Sequence, residues 1–313
     1  MELSKEEISK LIGNAFEKAD NISDEIKRQC PPQQCLRFSI NREKQPSIFD
    51  SKLGGKPYWN TAMPYPTDEK GLPMALVIQL NMEQFPQLQP LPSKGMIQFF
   101  ISSDEEIICD GYGCNYDTPN LQTNYRVVYH NEVNYNLDPN TVSQYPTCEE
   151  LEDYTPVKKE CALNVEIDES CINLSCKKFE SLFVAAAKKL YNDDITDPFF
   201  NADEYLMKDM PQEFAHKIGP GLFDINPMYN GPEEFNFQML GFPAFEQCDE
   251  RDDNSKYDTL LLQIPTLAST EEDNLDDGYL TIWGDCGSMR IFINSNDLKQ
   301  CSFSDVLYEF QCY

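Results

Sequence analysis

The amino-acid sequence predicts an α+β fold that is internally duplicated, with mostly antiparallel sheets, an N-terminal helix and a few flanking short helices. The first segment is amphipathic, several apolar runs of strand length follow it, and the connections between those runs lack regular helical patterns. Strands that alternate with regular helices are typical of parallel sheets, so the lack of such helices favours antiparallel pairing. We expect a single compact domain over residues 1–313.

Residues 3–28 predict an amphipathic helix, within an N-terminal helix and linker of residues 1–35. Apolar side chains recur there at steps of three and four, with Lys and Glu between them. These side chains are Ile8, Leu11, Ile12, Ala15, Phe16, Ala19, Ile22 and Ile26. Ser4 followed by Glu7 is a capping-box pattern. The Cys-Pro-Pro tract at residues 30–32 ends the helix, because proline cannot continue it.

Two segments resemble each other and predict an internal duplication. Each contains a Gly-x-Pro turn, then an apolar run with one Gln near its end, then a second run that opens on Gly. The first repeat (residues 36–130) has LGGKP, ALVIQL and GMIQFFI, and the second (residues 214–313) has LGFP, TLLLQI and GSMRIFI. The runs at residues 75–80 and 259–264 are nearly all apolar, which is typical of central strands covered on both faces.

The rest of the chain shows weaker patterns. Residues 36–40 and 123–130 predict short strands. Residues 179–191 predict a helix, which lies in an acidic connection over residues 131–213. Within that connection, residues 131–178 are rich in Asn, Asp, Glu and Pro, and they predict long surface connections.

The charge of the chain excludes two classes of partner. Its 313 residues include 53 acidic and 25 basic side chains, for a formal net charge of −28. Residues 103–176 hold 15 acids and 3 bases, residues 231–313 hold 17 and 4, and residues 1–102 are neutral. This field repels phosphate backbones and anionic lipid, so nucleic-acid and membrane binding are disfavoured. A basic protein partner fits the field.

The compartment is predicted from the start of the chain and from its cysteines. The first residues lack a signal-peptide pattern, and no window approaches 18 consecutive apolar residues. We therefore expect a cytoplasmic protein whose twelve cysteines are mostly reduced. Three C-x4-C pairs occur, but structural zinc favours shorter spacing and no C-x2-C is present. We expect no metal site and no cofactor.

The sequence lacks the usual signatures of catalysis. Only His130 and His216 could serve as a histidine base, and hydrolase, zinc-protease and phosphate-loop motifs are absent. We expect no catalytic residues, so the prediction leans away from an enzyme. Acidic stretches at residues 249–258 and 273–278 make calcium binding a weaker alternative, because neither fits an EF-hand loop.

The most distinctive polar stretch is GFPAFEQCDER, residues 241–251. In an extended chain, Gln247, Asp249 and Arg251 alternate onto one face and suit a small polar ligand or a peptide backbone. The alternative is that they fix a loop through charge-assisted hydrogen bonds. Further candidate binding residues are Gln79, Gln263, Arg126, Trp283 and Asp285. Structural turns are expected at Gly54, Gly55, Pro57, Gly241, Pro243 and Gly287.

Several blocks of the sequence resemble the YwqG-like family, a family of unknown function. The blocks are LGGKPYW, LPMALVIQLNMEQFP, LPSKGMIQFFIS, DTP followed by NYRVVY, GFPAFEQCDER, YDTLLLQI, WGDCG and FSDVLYEFQCY. The resemblance covers residues 36–130 and 214–313, and it implies a compact α+β fold with an internal duplication. Phe237 and Gln238 stand where the family has a His-Lys pair, and His216 with Lys217 lies earlier. The resemblance implies no established activity.

Two functional hypotheses follow from these observations. The first is a non-enzymatic cytosolic protein-interaction module with an acidic surface, which is favoured because a nucleophile–base pattern is missing. The alternative is a small-molecule binder or enzyme with a polar site at the interface of the two repeats, where duplicated folds often form a cleft.

Overall fold

The computed structural model describes residues 4–196, 202–210, 237–252, 254–276 and 278–312. The chain divides into two compact units. The helical unit comprises Met1–Gln33, Glu169–Pro232 and Phe242–Asp249, and the sheet unit comprises Gln34–Asp168, Glu233–Gly241 and Glu250–Tyr313. The predicted bounds of the N-terminal helix and linker, the two repeats and the acidic connection stay predictions. A single compact domain over the full chain stays a prediction.

The helical unit is built around α1 (Lys5–Gln29), α3 (Lys177–Tyr191) and α4 (Ala202–Leu206). The predicted capping box is present, since the Ser4 hydroxyl accepts from the Glu7 amide and the Glu7 carboxylate accepts from the Ser4 amide. The apolar stripe of α1 packs on α3, as its periodicity predicts. Buried residues of this core include Ala15, Ala19, Ile22, Ile26, Phe179, Leu182, Phe183 and Ala187. None of the described helices has the length and apolar character needed to cross a membrane.

The sheet unit contains twelve described strands and two short helices. The strands of the first half of the chain are β1 (Gln33–Asn41), β2 (Lys52–Leu53), β3 (Ala75–Asn81), β4 (Met96–Ile101), β5 (Tyr125–His130) and β6 (Cys161–Ser170). Those of the second half are β7 (Gln238–Leu240), β8 (Thr259–Pro265), β9 (Leu267–Ala268), β10 (Tyr279–Thr281), β11 (Ser288–Ile293) and β12 (Val306–Gln311). The helices are α2 (Glu105–Cys109) and α5 (Ser295–Lys299). The predicted strands at residues 75–80, 123–130 and 259–264 are present, with small shifts at their ends.

Ten strands form one sheet in the order β12-β11-β8-β7-β1-β6-β2-β3-β4-β5, and β9 pairs with β10 in a separate ribbon. The pairings within the sets β2–β5 and β7-β8-β11-β12 are antiparallel, as are those of β1 with β7 and β2 with β6. The predicted fold class, an α+β fold with mostly antiparallel strands and an N-terminal helix, is thereby confirmed.

Two sets of four strands, β2-β3-β4-β5 and β7-β8-β11-β12, follow the same plan. Gln79 on β3 lies opposite Gln98 on β4, and Gln263 on β8 lies opposite Arg290 on β11. In each set, the pairing register shifts just before Gln79 or Gln263. One extra residue is therefore inserted in β3 and in β8, the strands that carry these glutamines. The duplication that the sequence predicts remains a prediction at this point.

The central core of the sheet unit lies on one face of the curled sheet. It collects apolar side chains from both sets, including Ile78, Leu80, Ile97, Phe99, Leu262, Ile264, Met289 and Ile291. The two end strands approach each other through residues 111–124, which we call the closing segment. The Tyr308 amide of β12 donates to the Pro119 carbonyl over 3.0 Å, and the Tyr125 hydroxyl of β5 donates to the carbonyls of Pro119 and Val306 over 2.7 and 3.2 Å.

The sequence prediction of surface connections over residues 131–178 is wrong for β6, a ten-residue strand within the sheet. Leu163, Val165 and Ile167 alternate there with Asn164, Glu166 and Asp168, which is the period of a half-buried strand. The acidic and polar side chains of this strand made its alternating pattern hard to recognise in the sequence. Much of β6 is exposed, which explains how it tolerates those residues.

Two glycines at matching positions of the two sets lie so close to other backbone atoms that one added methyl group should strongly lower the free energy of unfolding. A Cβ on Gly95, which precedes β4, would lie 2.2 Å from the His130 carbonyl oxygen, and one on Gly287, which precedes β11, would lie 1.8 Å from the Gln311 carbonyl oxygen. We expect Gly95→Ala and Gly287→Ala each to lower the free energy of unfolding by about 2–4 kcal/mol. Denaturant titration followed by tryptophan fluorescence measures this, because Trp59 and Trp283 both lie in the sheet unit.

The control is Gly13→Ala on α1, where an added Cβ meets nothing within 4 Å. Alanine is the better helix former, so this variant should be as stable as the wild type or slightly more stable. Unchanged stability in both Gly95→Ala and Gly287→Ala would contradict the close backbone approach.

Candidate functional site

Gln79 is fully buried in a network of neutral hydrogen bonds. Its Nε2 donates to the carbonyls of Ile48 and Asp50 over 2.9 and 2.7 Å, and its Oε1 accepts from the Tyr58 amide over 2.9 Å and from Gln98 Nε2 over 3.2 Å. Each polar atom of this side chain is therefore engaged by the loops that flank β2 and by β4. Gln79 thus satisfies buried main-chain groups, and a ligand that bound its side chain would break these hydrogen bonds.

His130 continues this network and is 4% exposed. Its Nε2 lies 3.0 Å from Gln98 Oε1, and the rings of Tyr58 and Trp59 meet it edge to face. Since Gln98 Nε2 donates to the Tyr58 carbonyl, Gln98 Oε1 is the acceptor and the neutral ring carries its proton on Nε2. Burial lowers the pKa of His130 to about 4. His216, the second candidate base, lies outside the described residues.

Gln263 is also buried, at the matching position of the second set. It lies opposite Arg290, whose Nε donates to Glu309 Oε1 over 2.8 Å and whose guanidinium also donates to Ser288 Oγ over 2.7 Å. Gln79 and Gln263 alternate with core residues and so lie on the face of the sheet opposite the central core. Their strands are separated by β7, β1, β6 and β2, and the structure does not bring the two side chains together.

The stretch at residues 241–251 forms no strand. Gln247 is exposed and, with Asp249, belongs to the helical unit, whereas Arg251 belongs to the sheet unit. The Arg251 guanidinium donates to the Tyr257 carbonyl over 2.9 Å and stacks 3.8 Å above the Phe292 ring. These contacts fit the second interpretation of this stretch, in which its polar side chains fix a loop.

The remaining predicted residues are dispersed. Trp283 is fully buried against Tyr112, at 5.3 Å between ring centroids, and Asp285 is exposed. Gly54, Gly55 and Gly241 have positive φ angles, as the predicted turns require. Pro57 and Pro243 are buried, and the Pro243 carbonyl accepts from Asn173 Nδ2 over 2.9 Å.

An acidic cleft of about 500 Å³ lies beside α2. Glu69, Glu106, Asp110 and Asp117 line it and are exposed. Three segments build it: the turn at residues 68–71, the helix α2, and the start of the closing segment. The polar and apolar remainder of its lining is Ile107, Gly113, Cys114, Asn115, Tyr116 and Asn124.

Lys70 is the one basic side chain that lines the acidic cleft, and it is already engaged. Its Nζ lies 2.8 Å from both Asp104 Oδ1 and Glu106 Oε2. These hydrogen bonds lower the pKa of Asp104 and raise the pKa of Lys70. The three other acids that line the cleft form no ion pair within the described part of the chain.

A second, smaller groove of about 360 Å³ lies along the outer edge of β5. Its lining is Met63, Gln122, Arg126, Val127, Val128, Tyr129, Cys301, Phe303 and Ser304, and none of these side chains is acidic. The groove thus contains one of the predicted binding residues, Arg126. In the sequence, Arg126 stands within the block NYRVVY.

All twelve cysteines are free thiols. Among the described residues, no three His, Cys, Asp or Glu side chains come close enough together to hold a metal ion. Burial raises the pKa of Cys35 and Cys161 to about 11 and that of Cys114 to about 12.

The network around Gln79 predicts a large loss of stability on truncation. Gln79→Ala leaves four buried or partly buried polar partners without this side chain, and we expect the free energy of unfolding to fall by about 3–5 kcal/mol. Gln87→Ala is the matched control, because Gln87 is exposed and makes one long hydrogen bond of 3.4 Å. Equal denaturation midpoints for the two variants would contradict a structural role for Gln79.

The lowered pKa of His130 predicts a loss of stability in mild acid. The unfolded chain binds a proton near pH 6.5 and the folded chain only near pH 4, so stability is full above about pH 6.5 and falls as the pH drops towards 4. We expect His130 to account for about 3 kcal/mol of this loss. The measurement is the free energy of unfolding of the wild type and of His130→Gln at pH values across this window. A difference between the two proteins that does not change with pH would show that His130 is not buried in its neutral form.

Comparison with known proteins places the chain in a family without an assigned activity. No curated protein matches it. Residues 51–312 match the family described as "Domain of unknown function (DUF1963)". That match spans the sheet strands from β2 to β12 and both grooves described above. The chain is thus a member of the DUF1963 family.

Proposed function

We propose that this chain is a non-enzymatic protein-interaction module that binds a basic segment of a partner protein in its acidic cleft. The supporting observation is that four exposed carboxylates line the cleft, while Lys70, the one basic side chain in its lining, is already engaged by Asp104 and Glu106. A partner's Lys or Arg side chains would supply the missing positive charge. Charge complementarity of this kind mainly accelerates association and selects the partner.

The walls of the cleft suit a polypeptide better than a free cation. Tyr116 lines the cleft with 66% of its surface exposed, and Leu121 on the same closing segment is 53% exposed. Tyr116 therefore offers apolar contact beside the charges, and tyrosine is enriched in protein interfaces.

Two observations support a role without catalysis. His130 is neutral, buried and bonded to Gln98, so it is not placed to act on a substrate. The buried thiols of Cys35, Cys114 and Cys161 have raised pKa values, which leaves little thiolate at neutral pH.

We also propose three further properties of the chain. The chain is a YwqG-like member of its family, on the strength of the sequence blocks given above. Its two four-strand sets arose by internal duplication, which the matching Gln79–Gln98 and Gln263–Arg290 pairs and the matching register shifts support. It acts in the cytoplasm, where twelve free thiols are stable.

The proposal predicts that removing charge from the acidic cleft weakens binding more than removing the same charge elsewhere. The test variant is Glu69→Gln, Asp110→Asn and Asp117→Asn combined, and the probe is a fluorescent decapeptide of alternating Lys and Ala. At low salt, we expect the triple variant to bind the probe about tenfold more weakly than the wild type, with a shallower dependence on salt.

The matched control combines Glu43→Gln, Glu166→Gln and Glu272→Gln, which are exposed acids outside the cleft. It removes the same three charges and should change the affinity by less than about twofold. Equal weakening in the two triple variants would show that the probe senses only the overall field, and the cleft proposal would then fail.

A further inference from the structure

Arg126 differs from every other arginine of the chain in its surroundings. Arg28, Arg37, Arg42 and Arg290 each form an ion pair with a carboxylate, and Arg251 stacks on Phe292 and bonds a carbonyl. Arg126 is half-buried, and its Nε is fully buried without a hydrogen-bond partner among the described residues. A buried donor without a partner is unfavourable, and no carboxylate of the described residues forms an ion pair with Arg126, which lines the groove along β5.

The groove that contains Arg126 is held open by hydrogen bonds. Gln122 Oε1 accepts from the Val127 amide over 2.7 Å, and Gln122 Nε2 donates to the Phe303 carbonyl over 2.8 Å. The Tyr129 ring lies 5.3 Å from the Phe303 ring. These contacts fix the edge of β5 on one side and residues 301–304 on the other, so a ligand would enter a groove that already has its shape.

The lining of this groove specifies the chemistry of a ligand. Met63, Val127, Val128, Tyr129 and Phe303 offer apolar surface, and the volume of about 360 Å³ falls in the range of small-molecule sites. The guanidinium of Arg126 is planar and matches a carboxylate with two parallel hydrogen bonds. We propose that the β5 groove binds a monocarboxylate with an apolar body, through Arg126.

The charge of the rest of the chain favours a single negative charge on the ligand. A net charge of −28 repels polyanions. A single carboxylate in this groove meets no acidic side chain in the lining, and ordinary salt screens its repulsion from carboxylates more than about 10 Å away. The same chemistry could come from a free organic acid or from the C-terminal carboxylate of a peptide that ends in an apolar residue. This site is separate from the proposed acidic cleft.

The experiment is isothermal titration of the full chain with two probes of different origin. The first is 4-phenylbutyrate, compared with its neutral amide, and the second is acetyl-Ala-Ala-Phe, compared with the same peptide amidated at its C-terminus. We expect saturable binding of at least one acid and, for that probe, binding of the neutral form that is at least about tenfold weaker. Binding of the peptide acid alone would assign the site to chain termini, and binding of phenylbutyrate to free acids.

Variants then test the role of Arg126. Arg126→Met should weaken binding at least about tenfold, and Arg126→Lys should weaken it less, because the charge stays and the fork is lost. Ser304→Asp places a carboxylate at an exposed position of the lining and should abolish binding without disturbing the core. Lys299→Met is the control, since it removes one exposed positive charge near residues 301–304 and should change binding by less than about twofold.

The proposal is overturned if neither acid gives saturable binding. It also fails if the neutral forms bind as well as the acids, or if Ser304→Asp binds like the wild type while its melting temperature is unchanged. Loss of binding in Lys299→Met equal to that in Arg126→Met would assign the effect to general charge and would likewise reject the site.

Discussion

The sheet unit depends on how its two end strands meet. Long antiparallel sheets leave rows of unpaired amides and carbonyls on their outer strands, which invite pairing with other chains. Here the closing segment, residues 111–124, occupies that position between β5 and β12. Its Pro119 carbonyl accepts from the Tyr308 amide and the Tyr125 hydroxyl, so one residue of the segment is bonded to both strands. The ten strands can therefore enclose one central core.

The same closing segment positions both candidate sites. Its first residues, Gly113 to Asp117, form one wall of the acidic cleft, and Gln122 near its end bridges the two walls of the β5 groove. Gly113 cannot carry a side chain, because a Cβ there would lie 2.3 Å from the Asn124 carbonyl oxygen. The constraint that closes the sheet is thus also the constraint that shapes the two grooves.

The sequence predicts the apolar part of this structure well. The runs in β3 and β8, the stripe of α1 and the spacing in α3 are periodic because each buries a continuous face, and periodicity is what a single sequence records. Strand β6 was not predicted, because many of its residues are polar or acidic and exposed. The acidic cleft could not be predicted as a site, because Glu69 comes from the neutral first third of the chain and Asp110 from an acidic stretch. Only the closed fold brings them to one cavity.

The predicted binding residues Gln79 and Gln263 show why a glutamine within an apolar strand is ambiguous in a sequence. A polar side chain in an apolar strand must either meet a ligand or satisfy main-chain groups, and the sequence does not distinguish these cases. Gln79 does the second, since all its hydrogen bonds go to loops and to Gln98. The matching position of Gln98 in the second set carries Arg290 with its partner Glu309, so a neutral network and an ion pair occupy equivalent places. What the two sets share is a buried polar pair at the same register, on the face of the sheet opposite the central core.

The difference between the two sets locates the candidate sites more sharply than their similarity does. The connection from β4 to β5 runs over residues 102–124, whereas that from β11 to β12 runs over residues 294–305. Each begins with a short helix, α2 or α5, capped by Asp104 or Asn294. The first then continues into the closing segment, which has no counterpart in the second. The acidic cleft lies wholly in and beside this additional length, and the β5 groove uses its last part together with the shorter connection at residues 301–304. Residues of the paired strands are constrained by the packing of the core, whereas a connecting segment outside those strands varies more freely with function. Binding is therefore expected at residues 104–129, and the paired strands serve as the scaffold that holds this segment in place.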